Sequence, residues 1–520
     1  MPLSGIPPIR RLGLIFILGL LAGLAFAPTF LVPLWPLGFG VALLFIYQAQ
    51  TWRMRLGVSF LFSYGYMLSG LYWISLAPSA IPDFYFLIPV ALIVLPAFAA
   101  SFGTLALFLA GFWRKDPLSY GLIALGLWMF FEWRRGIDLT GFAWNRAGMI
   151  WAVDPATMQA AALGGVPLLS LISILAGVGV FLLFFERRGM GAGFILVPCL
   201  ALVAFGLIRL GLNPQSGMET IPDLRVRLVQ ANIPKNSVNP NLVYDTHLDL
   251  SNSQPLDGIT HVIWPEGSVR AFLDQRADLR QHLATSLNPV PFSLVFGREA
   301  VELQNEDQKL KGTGAHLSAY LIDHRKNRFA TYKKMHLVPF GEYIPYKFIF
   351  KYLGFSALTG QFLDRIPGQA PQTLDLPNSP KVGVFICYDS IYSGQIVDQS
   401  NRPDWLVTLT EDAWYILPDI PVLQKTPGPY QHYAEARVRA IEEGLSIARA
   451  SNPGISAVID PFGRQWGEKL NLGDQAILDS SIPVKQSKTF YSFINISTLY
   501  LFFTFIPAFI ALLFLRNARL

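Results

Sequence analysis

The chain reads as an α-helical membrane bundle of eight spans joined to an α/β domain, a sheet sandwich with helices outside. Three observations lead there. Hydrophobic residues make up 52% of the 520, charged residues only 15%, and mean hydropathy is +0.39, the composition of an integral membrane protein. The charges are unevenly spread: there are none between Leu12 and Trp52, but a soluble density from Pro214 to Lys488. Within that later stretch, short runs of β character alternate with a helical stripe. The net charge of +6 comes without a basic run interleaved with aromatics, so nucleic acid is not an expected partner.

Crossing about 30 Å of hydrocarbon takes about 20 apolar residues. The run 12–52 is about twice that length and is broken by Pro28, Pro33 and Pro36, which predicts a hairpin of spans at 12–28 and 31–50. Further segments lie at 56–77, 85–113, 118–133, 164–185, 190–212 and 490–515. Basic pairs mark every second connection: Arg10/Arg11, Arg53/Arg55, Arg114/Lys115, Arg187/Arg188 and Arg516/Arg519. By the positive-inside rule both termini are cytoplasmic, and the region between spans seven and eight lies outside, in the periplasm of a bacterium. The predicted domains are a transmembrane part over 1–213, an outer domain over 214–488, and the eighth span with its tail over 489–520. Arg10-Arg11 followed by an apolar run and Ala25-Phe26-Ala27 has the shape of a signal peptide, but a second span follows at once, which favours an uncleaved first helix. The connection 132–163 places Glu132, Arg134, Arg135, Asp138 and Arg146 on the outer side. Either these are paired and snorkelling side chains at a helix end, or Arg146 belongs to a basic site for a lipid phosphate.

In the outer domain, strands are predicted at 224–233, 259–264, 292–296, 317–322, 382–386 and 406–409. A helix is predicted at 430–445, with Ala434, Val438, Ile441 and Leu445 on one face and Glu435, Arg439 and Glu442 off it. Cys387 stands where the apolar run 382–386 ends; the only other cysteine, Cys199, lies in an apolar segment. Glu266 follows a proline that ends another strand, and Lys333 and Lys334 precede a Pro/Gly turn that contains Glu342. A carboxylate, a lysine and a thiol supply the base, the cation and the nucleophile of covalent acyl transfer. Singly, each also reads as an ordinary strand end, surface charge or buried small residue.

Together the motifs are more specific. Trp-Pro-Glu at 264–266, Lys-x-His-Leu-Val-Pro-Phe-Gly-Glu at 334–342, Ile-Cys-Tyr at 386–388, Asp-Ala-Trp at 412–414 and Gly-Pro-x-Gln-His at 428–432 resemble those of apolipoprotein N-acyltransferases, membrane-bound members of the nitrilase superfamily. The resemblance spans essentially the whole chain. It implies a nitrilase-like α-β-β-α sandwich, with Glu266 as general base, Lys334 as oxyanion stabiliser and Cys387 as nucleophile. It also implies supporting roles for Glu342, which orients Lys334 or helps activate Cys387, for Tyr388, and for Asp389. Asp389 departs from the family's usual glutamate and Glu411 from its usual asparagine, and the resemblance implies that the family's aromatic lid residue is replaced near Asn239.

The implied reaction has two steps: Cys387 takes an acyl chain from a phospholipid as a thioester, then passes it to the α-amine of a diacylglyceryl apolipoprotein. The implied enzyme is a monomer of the bacterial inner membrane, needing no cofactor. Two apolar stretches, 346–355 and 414–423, are expected either as arms dipping into the lipid or as core; Phe348, Phe350, Trp414 and Tyr415 are their candidate substrate-binding residues, and Arg146 of the connection 132–163 is a further one. The seven histidines show no metal-ligand spacing, so no metal is expected, and one cysteine in the outer domain allows no internal disulfide there. The competing readings are a membrane-tethered carbon-nitrogen hydrolase and a catalytically dead transporter or scaffold; the near absence of charge inside the spans speaks against transport.

Overall fold

The computed structural model describes residues 8–80, 82–235, 239–303, 312–352, 365–417, 420 and 423–517. They form two compact units, one of Met1–Gln215, Thr426–Glu442 and Lys488–Leu520, the other of Ser216–Lys425 and Glu443–Ser487.

In the first unit a helix occupies each of the eight apolar segments: Pro8–Gly23, Leu34–Gln48, Trp52–Leu71, Ile88–Ala110, Pro117–Arg135, Ala161–Leu182, Arg188–Gly211 and Ile496–Asn517. Their starts follow local chemistry. Thr51 and Asp116 each accept a backbone N–H three residues on, and Pro117 sits in the first turn, where its missing N–H costs nothing. By length and apolar composition, four helices qualify as membrane spans: Phe84–Ala110, Ala161–Leu182, Arg188–Gly217 and Ile496–Leu515. The expectation of eight is therefore met only in part. Pro8–Gly23 and Leu34–Gln48 have 16 and 15 residues, a rise of about 24 Å and about 22 Å, short of the hydrocarbon thickness.

Glycines set the closest approaches. A Cβ at Gly65 would lie 2.5 Å from the Phe16 carbonyl oxygen, so the first and third helices meet backbone to backbone. The helix Ala161–Leu182 breaks at Gly164 and Gly165, the latter at φ 60°, and the freed Val166 N–H donates to the Glu442 carboxylate at 2.9 Å. Glu442 comes from the helix Gly428–Glu443, nearly all of which belongs to this unit. Gln431 and Arg437 donate to the Gly70 and Ala152 carbonyls from the same helix, which explains its membership.

The second unit holds two six-stranded sheets. The first has the order β12-β1-β2-β3-β4-β5, built from β1 (Thr220–Gln230), β2 (His261–Ile263), β3 (Phe292–Leu303), β4 (Gly312–Asp323), β5 (Arg328–Lys333) and β12 (Ala476–Pro483). The second has the order β11-β10-β9-β8-β7-β6, built from β6 (Thr373–Leu374), β7 (Val382–Ile386), β8 (Trp405–Glu411), β9 (Ile447–Asn452), β10 (Ser456–Ile459) and β11 (Gln465–Leu470). Strands β1, β2 and β3 run parallel, as do β7, β8 and β9.

Alternation along the strands divides the core. Leu224, Val226 and Leu228 of β1 pack with Val382, Val384 and Ile386 of β7 between the sheets. Val229, Val262 and Val295 face the other way, onto Tyr244 of the helix Pro240–Ser251 and Leu283 of the helix Ala277–Ser286. The predicted strands all occur, with β3 and β4 running longer than expected. Strands β5, β6 and β9 to β12 were not expected: Arg328–Lys333 and Gln465–Leu470 mix charged with apolar residues, as edge strands can.

Candidate active site

The reactive residues cluster where parallel strands end, the usual place for a site in such sheets. Glu266 follows β2, Cys387 follows β7, Glu411 closes β8, and Lys334 is the first residue after β5. Alternation at the end of β5 separates the two lysines. The Lys333 ammonium pairs with Glu299 at 2.9 Å near the surface, whereas the buried Lys334 ammonium lies 3.0 Å from Glu266 Oε1 and 2.6 Å from Glu342 Oε1.

Burial disfavours a charge on Lys334, but the two carboxylates outweigh it and hold its pKa well above the ordinary lysine value. Glu342 is fixed in turn by the Val338 N–H, which donates to its Oε2 at 2.8 Å; burial raises its pKa against the pull of Lys334. Glu266 leaves its Oε2 buried and without a hydrogen-bond partner among the described residues.

Cys387 adopts φ 48°, a left-handed conformation costly for a residue with a Cβ, as the chain leaves β7 and enters a short turn. Burial pushes its thiol pKa well above 9.0; Glu266 adds to the rise, while Lys334 and a main-chain hydrogen bond from Glu411 oppose it. The resting thiol is therefore protonated at neutral pH and needs a base.

Asp389 ties this turn to the lysine strand. Its Oδ2 accepts from Ile386 N at 2.9 Å and Tyr332 Oη at 2.8 Å, and its Oδ1 accepts from His336 N at 2.8 Å and contacts His336 Nδ1 at 3.0 Å. Burial alone would raise its pKa, but the His336 hydrogen bonds and the Lys334 charge leave it lowered. The His336 ring stacks on Tyr392 at 3.7 Å, and Tyr392 meets Tyr388 edge-on at 5.5 Å. Tyr332, His336 and Tyr392 were not singled out in the sequence, although His336 lies within the 334–342 motif.

Other candidates come out differently. Tyr415 is no exposed arm residue: it is buried in the core, and its hydroxyl pKa is raised by burial and by Cys387, Asp412 and Glu266 nearby. Trp414 is half-buried beneath the Lys235 ammonium, 4.1 Å from the ring centre. Phe348 and Tyr352 are 71% and 90% exposed, as an arm requires; the Phe350 side chain and residues 353–355 lie outside the described residues. Arg146 is buried and paired with Glu435 at 3.3 Å, which replaces the lipid-phosphate reading with internal pairing. Asn239 is a helix N-cap, accepting from the Asn241 and Leu242 N–H groups, with Pro240 in the first turn.

Residues 225–469, which hold all or part of every strand of the two sheets except β12, match the family described as carbon-nitrogen hydrolase. Residues 18–179 match the apolipoprotein N-acyltransferase N-terminal domain. A protein of that name from Rhodopseudomonas palustris is 36% identical over 83% of this chain and 81% of its own length, and one from Rickettsia bellii is 33% identical over 97% and 98%. A carbon-nitrogen hydrolase structure from Helicobacter pylori covers 55% of this chain and 94% of its own at 13% identity, with a TM-score of 0.37. The chain belongs to the apolipoprotein N-acyltransferase family.

Proposed function

We propose that the chain transfers an acyl chain from a phospholipid to the α-amine of a diacylglyceryl-cysteine at a lipoprotein N-terminus, through a thioester on Cys387. Family membership makes it an acyltransferase of lipoprotein biosynthesis working at a bacterial membrane. The observation that carries the mechanism is the buried Glu266–Lys334–Glu342 cluster beside a thiol held at φ 48°.

The free oxygen of Glu266 takes the Cys387 proton, and the thiolate attacks the phospholipid ester carbonyl. Lys334 stabilises the oxyanion, and the lysophospholipid leaves with the proton from Glu266. The acceptor amine then attacks the thioester, and Cys387 is released. Glu342 keeps Lys334 charged and aimed; Tyr388 and Asp389 fix the turn that presents the sulfur.

Eight helices as spans, cytoplasmic termini, and a catalytic domain over 214–488 on the periplasmic side follow from the basic residues at alternate connections. The exposed Phe348 and Tyr352 support an arm that touches lipid near the entrance. The enzyme acts as a monomer.

A phospholipid carrying a deuterated acyl chain, incubated with the full-length protein and a diacylglyceryl lipopeptide, tests this reading. The label should appear as an amide on the lipopeptide N-terminus. Label recovered only as free fatty acid would instead identify a membrane-tethered hydrolase.

A further inference from the structure

Glu411 is an acid in the site to which the steps above give no task. Strands β7 and β8 run parallel with Ile386 beside Leu409, so Cys387 and Glu411 emerge from neighbouring strands. The Glu411 main chain reaches the Cys387 sulfur, and its side chain lies beside the turn that carries Glu266: a Cβ at Gly267 would be 3.3 Å from Glu411 Oε2.

That carboxylate is 2% exposed and weakly compensated. Oε1 accepts from Ala413 N at 3.1 Å, and Asn452 Nδ2 stands 3.3 Å from each oxygen, shared between them. Among the described residues the cation paired with it is Lys235, whose Nζ is 3.7 Å from Oε2 and is itself drawn over the Trp414 ring. The groups facing it are thus Lys235 from the loop after β1, Glu266 after β2, Cys387 after β7 and Asn452 from β9. Asp412 beside it is taken up by Arg449 at 2.8 Å. Burial raises the Glu411 pKa to about 7; Lys235 opposes the rise and Glu266 adds to it. A carboxylate so reluctant to ionise gains by meeting a cation that brings its own charge.

We infer that Glu411 binds the α-ammonium group of the acyl acceptor and takes its proton before it attacks the Cys387 thioester. The inference rests on the acyl-transfer reading and assigns the acceptor half of the site. An α-amine is an ammonium ion below about pH 8 and cannot attack until deprotonated. One proton passes from nitrogen to the Glu411 carboxylate. The free amine forms the C–N bond, the C–S bond breaks, and the second nitrogen proton returns through Glu266 to the Cys387 sulfur. Glu411 then gives its proton to solvent. Because donor and acceptor have similar pKa values, the transfer has little barrier.

The experiment uses the full-length protein in phospholipid-containing micelles. Acyl loading of Cys387 is followed by intact mass, and a chase with diacylglyceryl lipopeptide from pH 5.5 to 8.5 reads the second step. In the wild type the second step should rise through about pH 7. In Glu411→Gln the midpoint should move towards about 8, the value of the free amine, with the second step at pH 7 slowed about tenfold and a raised KM for lipopeptide. Acyl loading should suffer far less, and Glu411→Asp should restore the lower midpoint. Superimposable second-step profiles for wild type and Glu411→Gln, or an equal loss in both half-reactions, would overturn the inference while leaving the acyl-transfer reading standing. A wild type that takes no acyl mass from phospholipid would remove both.

Discussion

Asp389 offers the sharpest test of how the nucleophile is held. Replacing it with alanine removes the acceptor of four hydrogen-bonding groups: Ile386 N, Tyr332 Oη, His336 N and His336 Nδ1. The first two are fully buried, and leaving a buried donor unpaired costs about 1–3 kcal/mol, so these two alone account for about 2–6 kcal/mol of local stability. Amide hydrogen exchange at Ile386 and His336 reads this directly. At about 1.4 kcal/mol per tenfold, exchange should accelerate by about 30-fold to about 10⁴-fold, and acyl loading of Cys387 should fall with it. Asp389→Glu, the family's usual residue, should keep all four partners and cost only the strain of one added methylene, about 1–3 kcal/mol. The pH dependence has a definite sign. The folded-state pKa is lowered, so the ionised Asp389 stabilises the fold at pH values above its unfolded value of about 3.9; that contribution is lost as pH falls through the lower folded value. Exchange within threefold of wild type in Asp389→Ala, with loading intact, would refute the account of the turn.

Glu266→Gln leaves Lys334 paired with Glu342, so the fold should persist while a thiol that burial keeps protonated loses its base; single-turnover acylation should slow by about 10²–10⁴. Lys334→Met strands two buried carboxylates and should cost about 3–5 kcal/mol in a denaturation series; an unchanged midpoint would count against the buried cluster. Phe348→Ser should leave thermal unfolding unchanged, since the ring is exposed, yet weaken use of phospholipid presented in vesicles; equal vesicle activity would remove the arm.

Much of the site was legible because its chemistry is local in sequence. Glu266 and Cys387 sit just beyond strand ends that apolar runs mark, Lys334 and Glu342 open and close one motif over 334–342, and motif register chose Lys334 over Lys333 before alternation in β5 separated them. What stayed hidden depends on residues far apart along the chain. The Asp389 hydrogen bonds bridge 53 and 57 residues to His336 and Tyr332, and nothing in the local pattern announces them. Whether Arg146 is paired or meets a lipid phosphate stayed open in the sequence because Glu435, its partner, lies 289 residues away. Tyr415 looked like part of an apolar arm because an apolar run with aromatic ends reads alike whether it faces lipid or core. The span count is met only in part where polarity and length trade off: all eight apolar segments are helical, but the first two helices are short. Strands β5 and β11 were missed because charged residues, Arg328 and Lys333 in one and Glu468 and Lys469 in the other, interrupt their apolar runs.

The central claim is that Cys387 carries the acyl chain. Intact-mass measurement of the full-length protein after incubation with phospholipid, before any lipopeptide is added, tests it most directly. The account requires a gain of one fatty-acyl mass that hydroxylamine removes, that maps to the peptide containing Cys387, and that is missing from Cys387→Ala. A folded Cys387→Ala that still acylates lipopeptide, or an acyl mass that maps elsewhere, would contradict it.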